Sequence, residues 1–304
     1  MNSLSRFLFT SFGGLVLLLC GGLELPLWAQ SSAVTAVDSE KKEGAATCIK
    51  DVQYIARADI TPYEAERCKL DLYLPGTKNF QTVVWFHGVS LKEGGKTEDY
   101  IPKLAARLNA EGIALVAADY RLSPKVLFPA YVQDAAAAVA WVSRNIEEHG
   151  GNPAAIFVGG HSAGGYLSLM VGLDGHYLEE QGVTSSVIAG LLPVSAQVMT
   201  HYTVREERGI EKFRITADDA APVYFIRKSL MPILLLYADR DFPARSEENA
   251  YFVAIAKDVG HRDVGGYMVK DRNHVSVAKR LCDDGDLGFG VMLAWIKDRT
   301  KRRP

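Results

Sequence analysis

Short apolar segments alternate with longer amphipathic segments along most of the chain. The short segments are apolar on both faces, which is typical of strands in a parallel sheet that is covered on both sides. The longer segments have helical spacing and supply the crossovers that such a sheet needs, so we predict an α/β domain with a mostly parallel, doubly wound sheet. The predicted strands are 69–74, 82–87, 114–118, 156–160, 187–194, 233–238 and 266–269, and the predicted helices are 100–111, 130–148, 163–173, 246–259 and 287–299.

The first 47 residues do not follow this alternation. Arg6 precedes an apolar run that ends before Glu24, and the small residue Ala29 follows, which is typical of a signal peptide over residues 1–29. We therefore expect export to the periplasm or the extracellular space, with no stable membrane insertion after processing. An uncleaved anchor is the alternative, because the apolar run approaches the length that spans a bilayer. Residues 30–47 are small, polar and charged and predict a linker, so the folded domain is expected over 48–304.

The net charge and the cysteines bear on nucleic-acid binding, disulfides and metal sites. The formal net charge of −2 leaves no basic field for a nucleic-acid partner. Export allows disulfides, and Cys48 and Cys68 flank a segment that resembles two short strands and a turn, so we expect a bridge between them with Cys282 free. Three cysteines are compatible with other pairings as well. No cysteine or histidine spacing indicates a metal site, and we expect neither a metal nor a cofactor.

One serine stands in a context that favours nucleophilic chemistry. The sequence Gly-His-Ser-Ala-Gly at 160–164 follows a predicted strand and begins a predicted helix. Glycine two residues before and after the serine lets the backbone turn sharply and exposes the hydroxyl, whereas a plain glycine-rich turn does not require a flanking strand and helix. We therefore predict Ser162 as the nucleophile, and the N–H of Ala163 as one donor of an oxyanion hole.

Four motifs in order resemble the hormone-sensitive-lipase and carboxylesterase branch of the α/β-hydrolases. They are His-Gly at 87–88, Asp-Tyr-Arg-Leu-Ser-Pro at 119–124, Phe-Pro-Ala at 128–130 and Gly-His-Ser-Ala-Gly-Gly at 160–165. The resemblance runs from about residue 71 to residue 295. It implies an α/β-hydrolase fold, and a serine esterase that works through an acyl-enzyme.

The loop after predicted strand 82–87 is the expected second source of oxyanion-hole donors. We assign the N–H groups of Gly88 and Val89 to the hole, and His87 to orienting this loop on the substrate side. The branch usually carries His-Gly-Gly-Gly, whereas this chain has His-Gly-Val-Ser at 87–90. If the second position requires a positive φ, valine is strained there.

The base and the acid are expected after the last two strands. His274 is the last of the seven histidines, and its polar loop matches the position of the family's base. Asp239 and Asp241 both follow strand 233–238; the spacing in the family favours Asp241 as the acid and leaves Asp239 as a turn residue. Asp271 is nearer to His274 in sequence, but loop aspartates of this kind usually cap turns.

The segment between residues 194 and 233 is longer than a simple crossover and contains several aromatic residues. We interpret residues 196–216 as a small lid that lines the substrate site, with Tyr202 in contact with substrate. A small lid favours small acyl or alcohol groups, so we expect a small-molecule ester substrate. A formamidase-like amide hydrolase uses the same triad, and an inactive secreted binding protein on the same fold is the alternative from another class.

Overall fold

The computed structural model describes residues 44–302, so the predicted signal peptide and most of the predicted linker lie outside the described residues. Within residues 44–302, eight strands form one sheet in the order β1-β2-β4-β3-β5-β6-β7-β8. The strands are β1 Thr47–Gln53, β2 Lys69–Leu74, β3 Phe80–Phe86, β4 Ile113–Ala118, β5 Gly151–His161, β6 Ile188–Val194, β7 Ile233–Arg240 and β8 Val264–Asn273. The α-helices are α1 Pro62–Arg67, α2 Tyr100–Ala110, α3 Ala130–Asn145, α4 Ala163–Leu173, α5 His176–Glu180, α6 Tyr202–Glu207, α7 Arg245–Asp258, α8 Ser276–Lys279 and α9 Leu287–Arg302.

Most of the sheet is parallel. β1 pairs antiparallel with β2, and β2 pairs antiparallel with β4, whereas every pair from β4 through β3 to β8 is parallel. At the centre, Val84 of β3 lies between Val116 of β4 and Val158 of β5, and all three side chains are fully buried. This burial explains why the central strands have no polar face. The predicted fold class is confirmed.

Parallel strands bring their carboxyl ends to one edge of the sheet. Helix α4 begins directly after β5 and is buried over its whole length, because it packs against β5 and β6 on one side and α3 on the other. The loops that follow β3, β5, β6, β7 and β8 therefore meet at this edge, where α/β sheets carry their ligand sites.

Within residues 44–302 there is no helix with the length and apolar content that crossing a bilayer requires.

The segment before β2 differs from its prediction. Instead of a second short strand, residues 62–67 form α1, because Thr61 caps the helix in a reciprocal capping box with Glu64 and Pro62 occupies the first turn. Proline at this position costs the helix no hydrogen bond, because an N–H in the first turn has no acceptor inside the helix. The sequence carried this start signal, which the strand-like pattern of the preceding residues obscured.

The expected bridge between Cys48 and Cys68 is wrong. Both cysteines are free, Cys48 exposed on β1 and Cys68 buried at the end of α1. Cys48 pairs with Tyr73 at one end of the β1–β2 ladder, whereas Cys68 stands just before the opposite end, where Lys69 pairs with Gln53. Five residues of strand separate the two positions by roughly 17 Å, and a disulfide requires Cα atoms within about 7 Å.

Candidate active site

The turn between β5 and α4 has a backbone that only its glycines permit. Ser162 has φ 54° and ψ −113°, outside the regions that L-residues ordinarily occupy. A Cβ on Gly160 would lie 2.5 Å from the carbonyl carbon of Gly164, and a Cβ on Gly164 would overlap the carbonyl group of Phe86. The two glycines therefore let the turn close against β3 while the serine hydroxyl faces outward.

Three side chains from separate loops form a hydrogen-bonded chain at this edge. The Oγ of Ser162 lies 2.8 Å from Nε2 of His274, and Nδ1 of His274 lies 2.6 Å from Oδ1 of Asp241. Ser162 follows β5, Asp241 follows β7 and His274 follows β8. The structure thus brings together the three side chains that the sequence predicted as nucleophile, acid and base.

The two competing aspartates lie elsewhere. Asp239 accepts a hydrogen bond of 3.0 Å from the N–H of Arg272 and joins β7 to β8. Asp271 is exposed and pairs with Arg240 at 2.9 Å. Of the three aspartates near the ends of these strands, Asp241 contacts the imidazole of His274.

The environment of Asp241 keeps its carboxyl group ionised. Burial acts to raise its pKa, but hydrogen bonds from His274 and from the hydroxyl of Ser195 outweigh burial and lower the pKa below its ordinary value. The N–H of Phe242 donates a further hydrogen bond of 2.7 Å to Oδ1. A carboxylate here accepts the Nδ1 proton of His274, so that Nε2 presents its lone pair to the hydroxyl of Ser162.

Two aromatic rings fix the position of His274. The ring of Phe242 stacks on its imidazole at a centroid distance of 3.9 Å. Nε2 of His161 donates a hydrogen bond of 2.7 Å to the carbonyl oxygen of His274. Burial, and then the proximity of His274, lower the pKa of His161 to about 3, so His161 is neutral and does not compete for a proton near neutral pH.

The loop after β3 lies directly against the serine turn. A Cβ on Gly88 would lie 3.1 Å from the carbonyl oxygen of His161 and 3.4 Å from Cβ of Ser162. The N–H groups of Val89 and Ala163 have no hydrogen-bond acceptor among residues 44–302. Unpaired N–H groups beside a nucleophile are the donors that an oxyanion hole requires.

Tyr120 sets the direction of these donors. Its buried hydroxyl donates to the carbonyl oxygens of His87 and Gly88, at 2.9 and 3.3 Å. In a trans peptide the C=O and the following N–H point in opposite directions, so the N–H groups of Gly88 and Val89 point away from Tyr120. This contact gives the Asp-Tyr-Arg motif a physical reason, because its tyrosine orients the predicted oxyanion loop.

The loop adopts a left-handed backbone without glycine. Val89, Ser90 and Leu91 have φ values of 65°, 66° and 62°, so the position that raised the question of strain does require a positive φ. Left-handed backbone costs L-residues roughly 1–2 kcal/mol each, and it is uncommon in consecutive residues. The surrounding contacts must stabilise this turn in place of glycine.

His87, which was predicted on the substrate side, does not contact the cavity. Its side chain is fully buried and stacks on the ring of Tyr120 at a centroid distance of 4.3 Å. Burial, and then the charge of Arg67, lower the pKa of His87 to about 3, so the ring is neutral. Because β3 delivers this side chain to the core side of the loop, His87 supports the loop from behind.

A cavity of about 570 Å³ opens above Ser162. Tyr202, at the start of α6 in the predicted lid, lines this cavity, and its hydroxyl forms a hydrogen bond with the hydroxyl of Ser90, which also lines it. The wall carries both apolar and charged side chains: Val89, Ser90, Glu93, Gly94, Glu98, Asp99, His161, Ser162, Tyr202, Phe242, His274, Val275 and Lys279.

Sequence reasoning missed two residues at this site. Ser195, which hydrogen-bonds Asp241, is a polar residue directly after β6, and the rule that functional groups follow strands could have identified it. Phe242 had no comparable signal, because its stacking on His274 depends on how the loops after β7 and β8 meet.

Residues 44–302 contain no group of three histidine, cysteine, aspartate or glutamate side chains placed to hold a metal ion.

Several known proteins with sequences similar to this chain are named as esterases. The BD-FAE family model matches residues 70–192. Esterase LipC of Mycobacterium tuberculosis is 28% identical over 208 residues, which is 62% of this chain and 50% of that protein. Carboxylesterase NlhH of the same organism is 40% identical over 94 residues, covering 31% of this chain and 29% of that protein. The alignments thus span half or less of the length of these relatives.

Solved structures share the fold over most of the chain. A truncated carbohydrate esterase from gut microbiota has a TM-score of 0.66 at 18% identity, covering 86% of this chain and 99% of that one. Esterase 2 of Thermogutta terrifontis, solved with butyrate bound, has a TM-score of 0.63 at 20% identity and covers 83% of this chain and 92% of that one. The fold of this chain is therefore one that is found in known esterases.

Proposed function

We propose that this chain, which belongs to the α/β-hydrolase superfamily, is a serine carboxylic ester hydrolase that acts on small, short-acyl esters through an acyl-enzyme. The observation that carries the proposal is the hydrogen-bonded chain from Ser162 through His274 to Asp241 at the floor of the cavity. The esterase names of the similar proteins support the same reaction class.

In the first half-reaction, Nε2 of His274 takes the proton of the Ser162 hydroxyl as Oγ attacks the ester carbonyl carbon. Negative charge develops on the carbonyl oxygen, and the N–H groups of Val89 and Ala163 stabilise it, with Gly88 as a further donor. When the carbon–oxygen bond to the alcohol breaks, His274 returns the proton to the leaving alkoxide. The acyl group then remains on Oγ.

In the second half-reaction, water attacks the acyl carbon. His274 accepts a proton from the water and then protonates Oγ of Ser162 as the carboxylic acid leaves. The charge of Asp241 stabilises the imidazolium that forms in each half. Because the hydroxyl of Ser195 and the N–H of Phe242 hydrogen-bond this carboxylate, it keeps its orientation through the cycle.

The dimensions of the cavity support small substrates. Its volume of about 570 Å³ must hold both the acyl and the alcohol groups. Phe242 and Tyr202, the first residue of the short lid helix, are part of its wall beside Ser162. The butyrate and propionate bound to esterase 2 of Thermogutta terrifontis are short carboxylates of a size that this cavity would accept.

The proposal also includes export, with a signal peptide over residues 1–29 and a mature chain that begins near residue 30. N-terminal sequencing of protein collected from the periplasm or medium tests it. A start near residue 30 supports cleavage, whereas an intact N-terminus in the membrane fraction indicates an anchor.

A fluorophosphonate probe tests the nucleophile directly. We expect stoichiometric labelling of Ser162 in the folded wild-type protein and none in Ser162→Ala, whose hydrolysis rate should fall by at least about 10⁴-fold. Ser143→Ala is a matched control, because Ser143 lies on α3, away from the cavity, and its hydroxyl donates to the carbonyl oxygen of Ala140. Absence of labelling in the folded wild-type protein would contradict the enzyme proposal and favour a binding protein.

A series of aryl esters from acetate to dodecanoate tests substrate size, and matched aryl amides test reaction class. We expect kcat/KM to peak at or below butyrate and to fall by roughly tenfold or more for the longest acyl chain. A maximum at dodecanoate would contradict the small-site proposal. Faster turnover of the formanilide than of the matched ester would assign the amide alternative.

A further inference from the structure

Helix α6 lines the cavity and also contacts the loop after β3. Val89, Ser90 and Leu91 adopt left-handed φ values without glycine, and the N–H of Val89 must stay fixed to serve as an oxyanion donor. Residues that are strained in this way persist only where neighbouring structure determines their conformation. The contacts that hold this turn therefore decide the geometry of the donors.

Helix α6 supplies three such contacts. The hydroxyl of Thr203 donates a hydrogen bond of 2.6 Å to the carbonyl oxygen of Ser90, the central residue of the left-handed turn. The hydroxyl of Tyr202 bonds the side chain of Ser90, and Glu206 pairs with Lys92 at 2.6 Å. The Thr203 contact is the best protected, since its side chain is fully buried whereas the Lys92–Glu206 pair is exposed.

The opposite side of the turn is held by the core. Leu91 is fully buried, and its carbonyl oxygen accepts a hydrogen bond of 2.8 Å from the N–H of Ser123. Tyr120 holds the carbonyl oxygens of His87 and Gly88. The core thus anchors both ends of the loop, while Ser90 at its centre is held by α6.

We propose that α6 positions the oxyanion hole, with Thr203 as the main positioning residue, and that this contact replaces the glycines that the loop lacks. Thr203 does not touch the reacting atoms. It acts through Ser90 on the backbone of Val89, so the lid helix shapes the transition-state site as well as the cavity wall. This inference rests on the proposed function in so far as it assigns the Val89 N–H to an oxyanion.

Thr203→Val tests the role, because valine keeps the shape of threonine and removes the hydroxyl. We expect kcat on a short aryl ester to fall about tenfold, the equivalent of one hydrogen bond, with KM changed less than about twofold. Thr203→Ser should restore most of kcat. The matched control is Thr200→Val, which removes an equally buried hydroxyl whose partner is Asp218 rather than the oxyanion loop.

A glycine background separates positioning from general packing. In Val89→Gly, the turn reaches positive φ with less strain, so adding Thr203→Val should lower kcat by no more than about a third of its effect in the wild type. An equal loss in both backgrounds, or equal losses for Thr203→Val and Thr200→Val, would overturn the proposal.

Hydrogen exchange measures the same contact without any substrate. We expect amides in peptides covering residues 88–93 to exchange about tenfold faster in Thr203→Val than in the wild type, and to be unchanged in Thr200→Val. Unchanged exchange would overturn the positioning role even if the protein is an active esterase. Faster exchange in a protein that hydrolyses no ester would support the contact and refute the proposed function alone.

Discussion

The two backbone segments that flank the cavity meet the same requirement in different ways. The serine turn and the oxyanion loop both need φ values that L-residues avoid. The serine turn obtains them locally, because Gly160 and Gly164 leave space where a Cβ would collide with backbone. The oxyanion loop has Val89, Ser90 and Leu91 at its left-handed positions and depends on contacts from distant parts of the chain.

The two segments should therefore be sensitive to different substitutions. A turn built on glycine is sensitive to any added side chain, but it needs few partners. A turn built on strained residues persists only while neighbouring contacts hold it, so it is sensitive to loss of those contacts.

The largest effect is expected at Gly164. In Gly164→Ala, the new Cβ overlaps the carbonyl group of Phe86, and β3 cannot move away because it pairs with strands on both sides. We expect the free energy of unfolding, measured by urea denaturation, to fall by about 4 kcal/mol or more.

The control for this substitution is Gly290→Ala. Gly290 is exposed on α9, and apart from its chain neighbours and the backbone of its own helix no atom lies within 4 Å of its Cβ position, so alanine should be neutral or should stabilise by about 0.5–1 kcal/mol. A soluble Gly164→Ala protein with wild-type stability would show that the serine turn does not depend on glycine.

A smaller effect is expected in the support of the oxyanion loop. Burial acts to raise the pKa of Glu64, but hydrogen bonds from Arg57 and Thr61 outweigh it and lower the pKa to about 2. Glu64 also pairs at 3.2 Å with Arg121, the residue after the loop-orienting tyrosine.

A folded pKa below the unfolded value of about 4.3 means that the ionised form stabilises the fold above that value. This contribution of about 2–3 kcal/mol should be lost as the pH falls from about 5 to about 2. Glu64→Gln should therefore be less stable than the wild type near pH 7, with the difference shrinking as the pH falls and disappearing at about pH 2 and below in urea titrations. A pH-independent difference would contradict the assignment to charge.

The smallest effect is expected at Val89. In Val89→Gly, relief of left-handed strain is offset by the larger entropy of the unfolded chain, so unfolding free energy should change by less than about 1 kcal/mol. The side chain is 44% exposed, so little packing is lost. Urea denaturation gives the stability, and a loss above about 2 kcal/mol would show that the valine side chain itself holds the loop.

The sequence by itself determined the parallel strands β3 to β8, the serine turn and the order of the predicted triad. Parallel strands that are buried on both faces consist of continuous apolar residues, which the sequence shows directly. Polar residues that follow such strands lie close together, because the carboxyl ends of parallel strands meet at one edge of the sheet. The glycines around Ser162 encode a local conformation, so a local motif was sufficient to identify it. Asp241 was selected over Asp239 by the family's spacing, and the hydrogen bond to His274 agrees with that choice.

Only the tertiary structure decided the remaining features, because each depends on residues far apart in the chain. The separation of Cys48 and Cys68 follows from the register of β1 on β2, which their spacing in sequence does not encode. The buried position of His87 follows from the side on which β3 delivers it. The left-handed turn at Val89 contradicts local preference and persists through Tyr120 and Thr203, which meet the loop only when the sheet and the lid helix are assembled.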